Sequence, residues 1–299
     1  MRVAFDIGGT NIRAAIGERA ETLRLLGECP TPQTGLADFA AALARLLPAD
    51  FAPEAALSLA ITGTAHPDTG VMTIANIPAL SGLPLASVLS ARLGRKVRIA
   101  NDADCFALAE ARLGAGRGHR VVFGAILGTG VGGGIIIDGR IHSGGRGLAG
   151  EWGHGPTEPA ILEDTGTILP PFPCGCGQAG CLDTMGSAPG LARLHQALCS
   201  EELDPEAVIA RWVDGDPAAT RTVLLHRQLV SRALARVANI SGPDIIPVGG
   251  GLGRVPELVR GLDQAVRRLL LAPPDRPFIV PAEVTALTPG LVGAALLED

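Results

Sequence analysis

A chain of 299 residues with 47% hydrophobic and 18% charged types is long enough for one large domain or two of about 150 residues each, and it can bury a sizeable core. Its 25 Lys and Arg against 30 Asp and Glu give a formal net charge of -5, which repels a phosphate backbone and argues against nucleic acid as a main partner. Asp6 interrupts the first apolar stretch and the longest uncharged run, 121–137, is broken by glycines, so neither a secretory segment nor a membrane span is expected and the location is read as cytoplasmic.

Val3, Phe5 and Ile7 alternate with Ala4 and Asp6, the period of a strand, and residues 2–16 read as two strands around a glycine turn. Leu36, Phe39, Ala40, Leu43, Leu46 and Leu47 follow helical spacing. A buried strand is expected over 56–61, then a long irregular loop over 62–85, a length that in compact domains is often functional. Residues 85–93 have helical periodicity with Gly94 as the stop, 97–100 is a short strand, and a helix is expected from Asn101-Asp102 to about Leu113. Gly114, Gly116 and Gly118 mark the best domain boundary. Beyond it the opening design recurs: strand 121–127, turn Gly128-Thr129-Gly130, strand 133–137. A Gly- and Cys-rich insertion spans 143–186. Helices are expected over 190–199, 218–239 and 256–271, with a strand entering Gly249-Gly250-Gly251 between the last two. Strands alternate with helices throughout, so the class is α/β.

Several of these turns carry chemistry. Gly8 and Gly9 let main-chain N–H groups approach a phosphate, the Thr10 hydroxyl can donate to it, and Asp6 is suited to Mg²⁺, which takes few carboxylates and keeps its waters. An ordinary hairpin turn is the competing reading. No Gly-Lys-Ser/Thr follows, so this is not a Walker motif. Asn101-Asp102 begins a helix, where both residue types also serve as plain N-caps. There the backbone dipole favours the charged form of Asp102, which would make it a weak base. Three of the six cysteines, Cys174, Cys176 and Cys181, crowd into one short stretch, a spacing that points to metal rather than to disulfides. Cys29, Cys105 and Cys199 are scattered and read as core.

Taken together, Asp6-Ile-Gly-Gly-Thr10, Gly128-Thr129-Gly130 and Gly249-Gly250-Gly251 at strand ends resemble the sugar kinase, heat-shock chaperone and actin superfamily. That resemblance implies an actin-like ATPase (ribonuclease H-like) fold, with two α/β domains around an interdomain cleft that clamps ATP. Gly150-Glu151-Trp-Gly-His154 followed by Cys174-Gly-Cys176-Gly-Gln-Ala-Gly-Cys181 resembles the signature of the ROK family of sugar kinases and repressors, and this second resemblance covers nearly the whole chain. It implies one structural Zn²⁺ on His154, Cys174, Cys176 and Cys181; a Cys₃His set is closed and tetrahedral, with no position left for water. It also implies that Asp102 is the general base, that Asn101, Glu151 and His154 bind the sugar, and that the protein is a homodimer.

Two departures stand out. Asp183 occupies the place where the family commonly carries a sugar-contacting Glu, and Asn11 stands where many relatives carry Lys. The substrate loop, from Gly63 through Asn76-Ile-Pro-Ala79, resembles that of bacterial N-acetylglucosamine kinases more than that of glucokinases. Short side chains at Ile77, Ala79 and Leu80 would leave room for an acetamido methyl, and Asn76 could bind ring hydroxyls. The expectation is an ATP-dependent hexose kinase acting on the 6-hydroxyl of N-acetylglucosamine, with glucose or N-acetylmannosamine as alternative substrates. A DNA-binding repressor of the same family would carry a helix-turn-helix before the Asp-Gly-Gly motif, and Asp6 lies too near the start for one. The expected domains are 1–118, completed by a helix at 289–299, and 119–288 with the zinc insertion.

Overall fold

The computed structural model describes residues 1–297 apart from 53–54, 162–165, 167 and 286. In chain order the elements are β1 (Arg2–Ile7), β2 (Asn11–Gly17), β3 (Arg24–Pro30), α1 (Leu36–Arg45), β4 (Leu57–Ile61), β5 (Thr64–Ala65), β6 (Met72–Thr73), α2 (Leu85–Leu93), β7 (Val97–Asn101) and α3 (Asp102–Leu113). They continue as β8 (Val121–Leu127), β9 (Val131–Ile137), β10 (Arg140–Ile141), α4 (Asp183–Gly186), α5 (Ala188–Cys199), α6 (Pro205–Val213) and α7 (Pro217–Ser241). The last are β11 (Ile246–Gly249), α8 (Gly250–Gly253), α9 (Pro256–Arg267), β12 (Ile279–Pro281) and α10 (Pro289–Ala295). No described helix is long and apolar enough to cross a membrane.

The chain divides into two units, Met1–Gly118 with Gly134–Gly150 and Glu283–Asp299, and His119–Gly133 with Glu151–Ala282. Two five-stranded sheets share one plan, β3-β2-β1-β4-β7 and β10-β9-β8-β11-β12. In the first, β1 pairs antiparallel with β2 and parallel with β4, and β4 pairs parallel with β7. In the second, β8, β11 and β12 run parallel and β10 pairs antiparallel with β9. The repeated glycine turns are therefore the hairpins of a duplicated design.

Burial follows from the residue pattern. On one face of the first sheet, Phe5, Ile7, Ile12, Leu59 and Ile61 pack against Phe39 and Leu43 of α1 and Leu85 and Leu89 of α2. On the other, the small residues Ala4, Ala15 and Ala60 meet Cys105 and Ala109 of α3 and Leu291, Val292, Ala294 and Ala295 of α10. Alanines there let helices lie close to the strands. The approach is closest at Gly293, where an added Cβ would run into the backbone carbonyl of Cys105. Helix α3 is buried nearly all round and is well signposted: Asn101 caps it, Asp102 and Asp104 lie in its first turn and Arg112 in its last.

The loop expected over 62–85 is more ordered than its Pro and Gly content implies. β5 and β6 form a short antiparallel hairpin there, and Pro78–Leu80 makes one 3₁₀ turn. Ile77 and Leu80 are fully buried within the core cluster, so they do not line a sugar pocket and only Ala79 of that trio is exposed. An apolar side chain in a 3₁₀ turn packs onto whatever lies beneath it, and here that is the sheet's core. The strand expected to run into the third glycine cluster is β11, and the cluster itself winds into the single turn α8.

Candidate active site

In the first unit the site is laid out by strand register. Ile7, Ile61 and Asn101 lie side by side at the ends of the parallel strands β1, β4 and β7, so the chain leaves the sheet at one level three times. The carboxyl ends of parallel strands are where ligands bind in open α/β sheets. The residues that emerge are Gly8-Gly9-Thr10, Thr62-Gly63 and Asp102.

The first of these turns is held from behind. The carbonyl of Gly8 accepts from the Thr31 hydroxyl (2.7 Å), that of Gly9 from Gln33 Nε2 (2.9 Å), and that of Thr10 from the Thr31 N–H (2.8 Å). The Gly8 N–H closes the hairpin on the Asn11 carbonyl at 3.0 Å, whereas the N–H groups of Gly9 and Thr10 have no acceptor among the described residues. Rigid carbonyls and unclaimed N–H groups are what a phosphate-binding loop requires. Asn76 packs on this turn, its Cβ 2.9 Å from the place a side chain on Gly9 would take.

Asn101 is doubly engaged. Its Oδ1 accepts from the N–H groups of Ala103 (2.8 Å) and Asp104 (3.3 Å), and its Nδ2 donates to the Gly63 carbonyl at 2.9 Å. Gly63 needs its φ of +118°, and a Cβ there would sit 2.5 Å from the Thr73 carbonyl oxygen. Asn101 is thus an N-cap as the residue type allows, with one Nδ2 hydrogen to spare.

Asp102 accepts from the Thr62 hydroxyl at 3.2 Å and from the Ala103 N–H at 3.0 Å. Burial, above all, raises its carboxyl above the usual aspartate range, and the neighbouring charge of Asp6 adds to this. The helix-start dipole does not prevail, so Asp102 is a stronger base than its position in sequence implies. Asp6 is likewise raised, chiefly by burial. Gly290 of α10 lies against it, where an added Cβ would stand 2.8 Å from Oδ1.

The second unit holds the other groups. The Gly128 N–H bonds the Gly130 carbonyl at 3.0 Å across the β8–β9 turn, through Thr129. Gly250, at φ +81°, lies against the same turn, its Cα 3.6 Å from where a Cβ on Gly128 would be. The second and third glycine clusters, the latter running through Gly249 and Gly251, are therefore one structure. Asp183 braces it: Oδ1 accepts from the Val131 N–H at 2.7 Å, and the Asp183 N–H donates to the Gly153 carbonyl at 2.9 Å. One carboxylate oxygen of Asp183 is consequently spent on the hairpin.

Glu151, Trp152 and His154 are carried by a turn fastened to the start of β9. Trp152 Nε1 donates to the Gly132 carbonyl at 2.6 Å, and its ring meets Phe123 edge-on at 6.0 Å. His154 Nε2 stands 4.0 Å from Glu151 Oε2, while Nδ1 faces Cys174 Sγ. The ligand atoms of His154, Cys174, Cys176 and Cys181 all lie within 4.8 Å of one another. Tetrahedral zinc with Zn–S of about 2.3 Å separates its ligand atoms by about 3.5–3.8 Å, and the Cys174–His154 and Cys176–Cys181 pairs stand at 3.7 and 3.6 Å. The donor set fits the metal. Burial pushes the Cys174 thiol up to about 11, and an N–H bond from Gln178 brings Cys176 down to about 7.

Thr31, Gln33, Thr62 and Gly290 all touch this machinery and escape a reading of sequence. Each lies far along the chain from the group it serves, and sheet order, with α10 packed on the sheet in the case of Gly290, brings them together.

These features define a nucleotide-using α/β protein of the actin-like fold, and residues 2–299 match the ROK family, to which this chain belongs. It is 36% identical over 301 residues to N-acetyl-D-glucosamine kinase of Salmonella paratyphi B, covering 100% of this chain and 99% of that one. Among solved structures it is similar to a ROK hexokinase from Thermus thermophilus, with 33% identity, 99% and 96% coverage and a TM-score of 0.79. A ROK glucokinase from Streptomyces griseus in complex with glucose and AMPPNP follows at 28% identity, 98% and 97% coverage and a TM-score of 0.73.

Proposed function

We propose that this protein is an ATP-dependent hexose kinase that phosphorylates the 6-hydroxyl of N-acetylglucosamine. The observation that carries the reading is the common level of the Gly8-Gly9-Thr10 turn, Thr62 and Asp102 at the ends of β1, β4 and β7, joined to full-length relatedness to N-acetylglucosamine kinases. In the reaction the O6–P bond forms, the bond from the γ-phosphorus to the bridging oxygen breaks, ADP leaves, and Asp102 takes the O6 proton. Its raised carboxyl suits that task, and the Thr62 hydroxyl orients it. Phosphoryl transfer needs positioning and charge stabilisation more than covalent help. The N–H groups of Gly9 and Thr10 are assigned to phosphate in the first unit, and the turns at Gly128-Thr129-Gly130 and Gly249-Gly250-Gly251 in the second.

Asp6 fits Mg²⁺, because a buried carboxylate beside a second one gains from a cation; the ion would neutralise charge on the phosphates. In the first unit the free Nδ2 hydrogen of Asn101 and the Asn76 side chain are assigned to sugar hydroxyls, with Gly63 letting the chain pass close by; in the second unit Glu151, His154 and the second oxygen of Asp183 are assigned the same role. His154, Cys174, Cys176 and Cys181 would hold a structural Zn²⁺, which would fix the tautomer and place of the imidazole and leave its other nitrogen for substrate. The two compact units correspond to two domains, and the enzyme acts as a cytoplasmic homodimer.

A glucokinase activity is the second reading, favoured by the 28% identity to the Streptomyces griseus glucokinase whose structure holds glucose and AMPPNP. A coupled ADP-release assay over N-acetylglucosamine, glucose and N-acetylmannosamine decides it. The highest kcat/KM is expected for N-acetylglucosamine, and a higher value for glucose would overturn that assignment.

A further inference from the structure

We infer that a groove along α7 in the second unit binds a phosphorylated organic anion with an apolar body. Pro217, Thr220, Leu224, Arg227, Gln228 and Ser231 recur at intervals of three and four residues, so they share one face of α7. That face borders a cavity of about 860 Å³, within the range of small-molecule sites.

The groove is amphipathic in a particular way. Leu198, Leu225 and Leu269 give it apolar walls, whereas its charged lining residues are all arginines: Arg221, Arg227, Arg232 and Arg268. No Asp or Glu is among the lining residues that the structure describes. Arg232 is occupied by Glu158 at 2.7 Å, and Arg221 has a partner of its own. Arg227 and Arg268 make no hydrogen bond or ion pair among the described residues. Arg268 follows the C-terminus of α9, where the helix dipole alone would favour a cation. That account does not extend to Arg227. It arises from the middle of α7, is half-buried, and lays its guanidinium over Gly261, with Nη1 3.0 Å from where a Cβ would be. A guanidinium drawn partly out of water without an acceptor is costly unless an anion completes it. The guanidinium groups that line the groove suit the planar, bidentate recognition of phosphate. Thr220 and Gln228 add donors whose side chains have no partner among the described residues.

The site shares no residue with the machinery assigned to phosphoryl transfer and does not depend on that assignment. Calorimetric titration of the full chain with 1-naphthyl phosphate tests it, with N-acetylglucosamine and a non-hydrolysable ATP analogue present at saturation. One saturable site is expected, weakened about tenfold or more in Arg227→Ala and in Arg268→Ala. 1-Naphthol, which lacks the phosphate, should bind more weakly by a similar factor, and sugar phosphorylation without the probe should be unchanged in both variants. Arg268 is exposed, so its removal keeps the test valid even if Arg227→Ala folds poorly. No saturable binding to the wild type, equal affinity in the variants, or equal binding of 1-naphthol would each overturn the inference. So would a change of oligomeric state in Arg268→Ala without binding of the probe, which would make the face a contact between copies.

Discussion

Glu110 is a carboxylate at 0% exposure with no cationic partner among the described residues. It accepts from the N–H of Ala115 at 3.0 Å, of Glu283 at 3.1 Å and of Val284 at 2.7 Å. It thereby ties α3 to the chain at two places: just before the first unit breaks off at Gly118, and where that unit resumes at Glu283. Replacing Glu110 with Ala strips the acceptor from three part-buried N–H groups, and about 1–3 kcal/mol each, a sum of about 3–9 kcal/mol, is the upper limit reached only at full burial. Water that reaches the half-exposed N–H groups and the vacated space offsets part of this, which leaves an expected loss of about 3–5 kcal/mol. Glu110→Gln keeps the volume and one acceptor but sets an amide N–H against a backbone N–H, an expected loss of about 1–2 kcal/mol. Urea unfolding reads both as lower midpoints at unchanged slope. Hydrogen exchange should localise the loosening to 115 and 283–284. A loss below about 1 kcal/mol for Glu110→Ala would refute the idea that these bonds hold the junctions together.

Further outcomes follow from the same geometry. Asp102→Asn should cut kcat by about 10²–10⁴ with little change in KM for sugar, and comparable turnover would remove Asp102 as the base. Because burial raises this carboxyl in the fold, stability falls as pH rises from the unfolded-state value through the folded one, and the ionised side chain is a net cost above both. The same variant should therefore melt higher at neutral pH, and wild-type kcat/KM should rise with pH through a value above the ordinary 3.8. Chelation, or Cys176→Ser, should release zinc, expose 173–182 to proteolysis and raise KM for sugar; metal-free protein with normal KM would contradict the scaffold role. Gly293→Ala drives a methyl into the Cys105 carbonyl and should destabilise by about 2–3 kcal/mol in thermal melts, whereas a neutral effect would mean that α10 can shift on α3.

Local signals carried much of this fold and failed where the cause was remote. Alternation in Val3, Phe5 and Ile7, the stop at Gly94 and the Asn101 cap are written in neighbouring residues, and each element lies where its pattern places it. Residues 24–30 show no clean alternation, because β3 is an edge strand with a largely exposed pattern, and periodicity gives no hint of it. The three residues of β12 are too few to repeat anything. At the site, the cysteine spacing and the glycine turns were legible because one short stretch holds all the chemistry. Ile77 and Leu80 misled because small apolar side chains look alike whether they line a pocket or fill a core. The raised carboxyl of Asp102 was hidden too, since it arises from burial and from Asp6, about a hundred residues away.

Helix α10 covers a sheet face whose strands were laid down near the other end of the chain. During translation the alanine-lined surface of β1, β2 and β4 must wait, without that cover, until residues 289–295 have been made, whereas every segment of the second unit is complete by 282. The order of synthesis thus favours the later unit maturing first, and a ribosome stalled before α10 would display an open, sticky seam that holdase chaperones could shield.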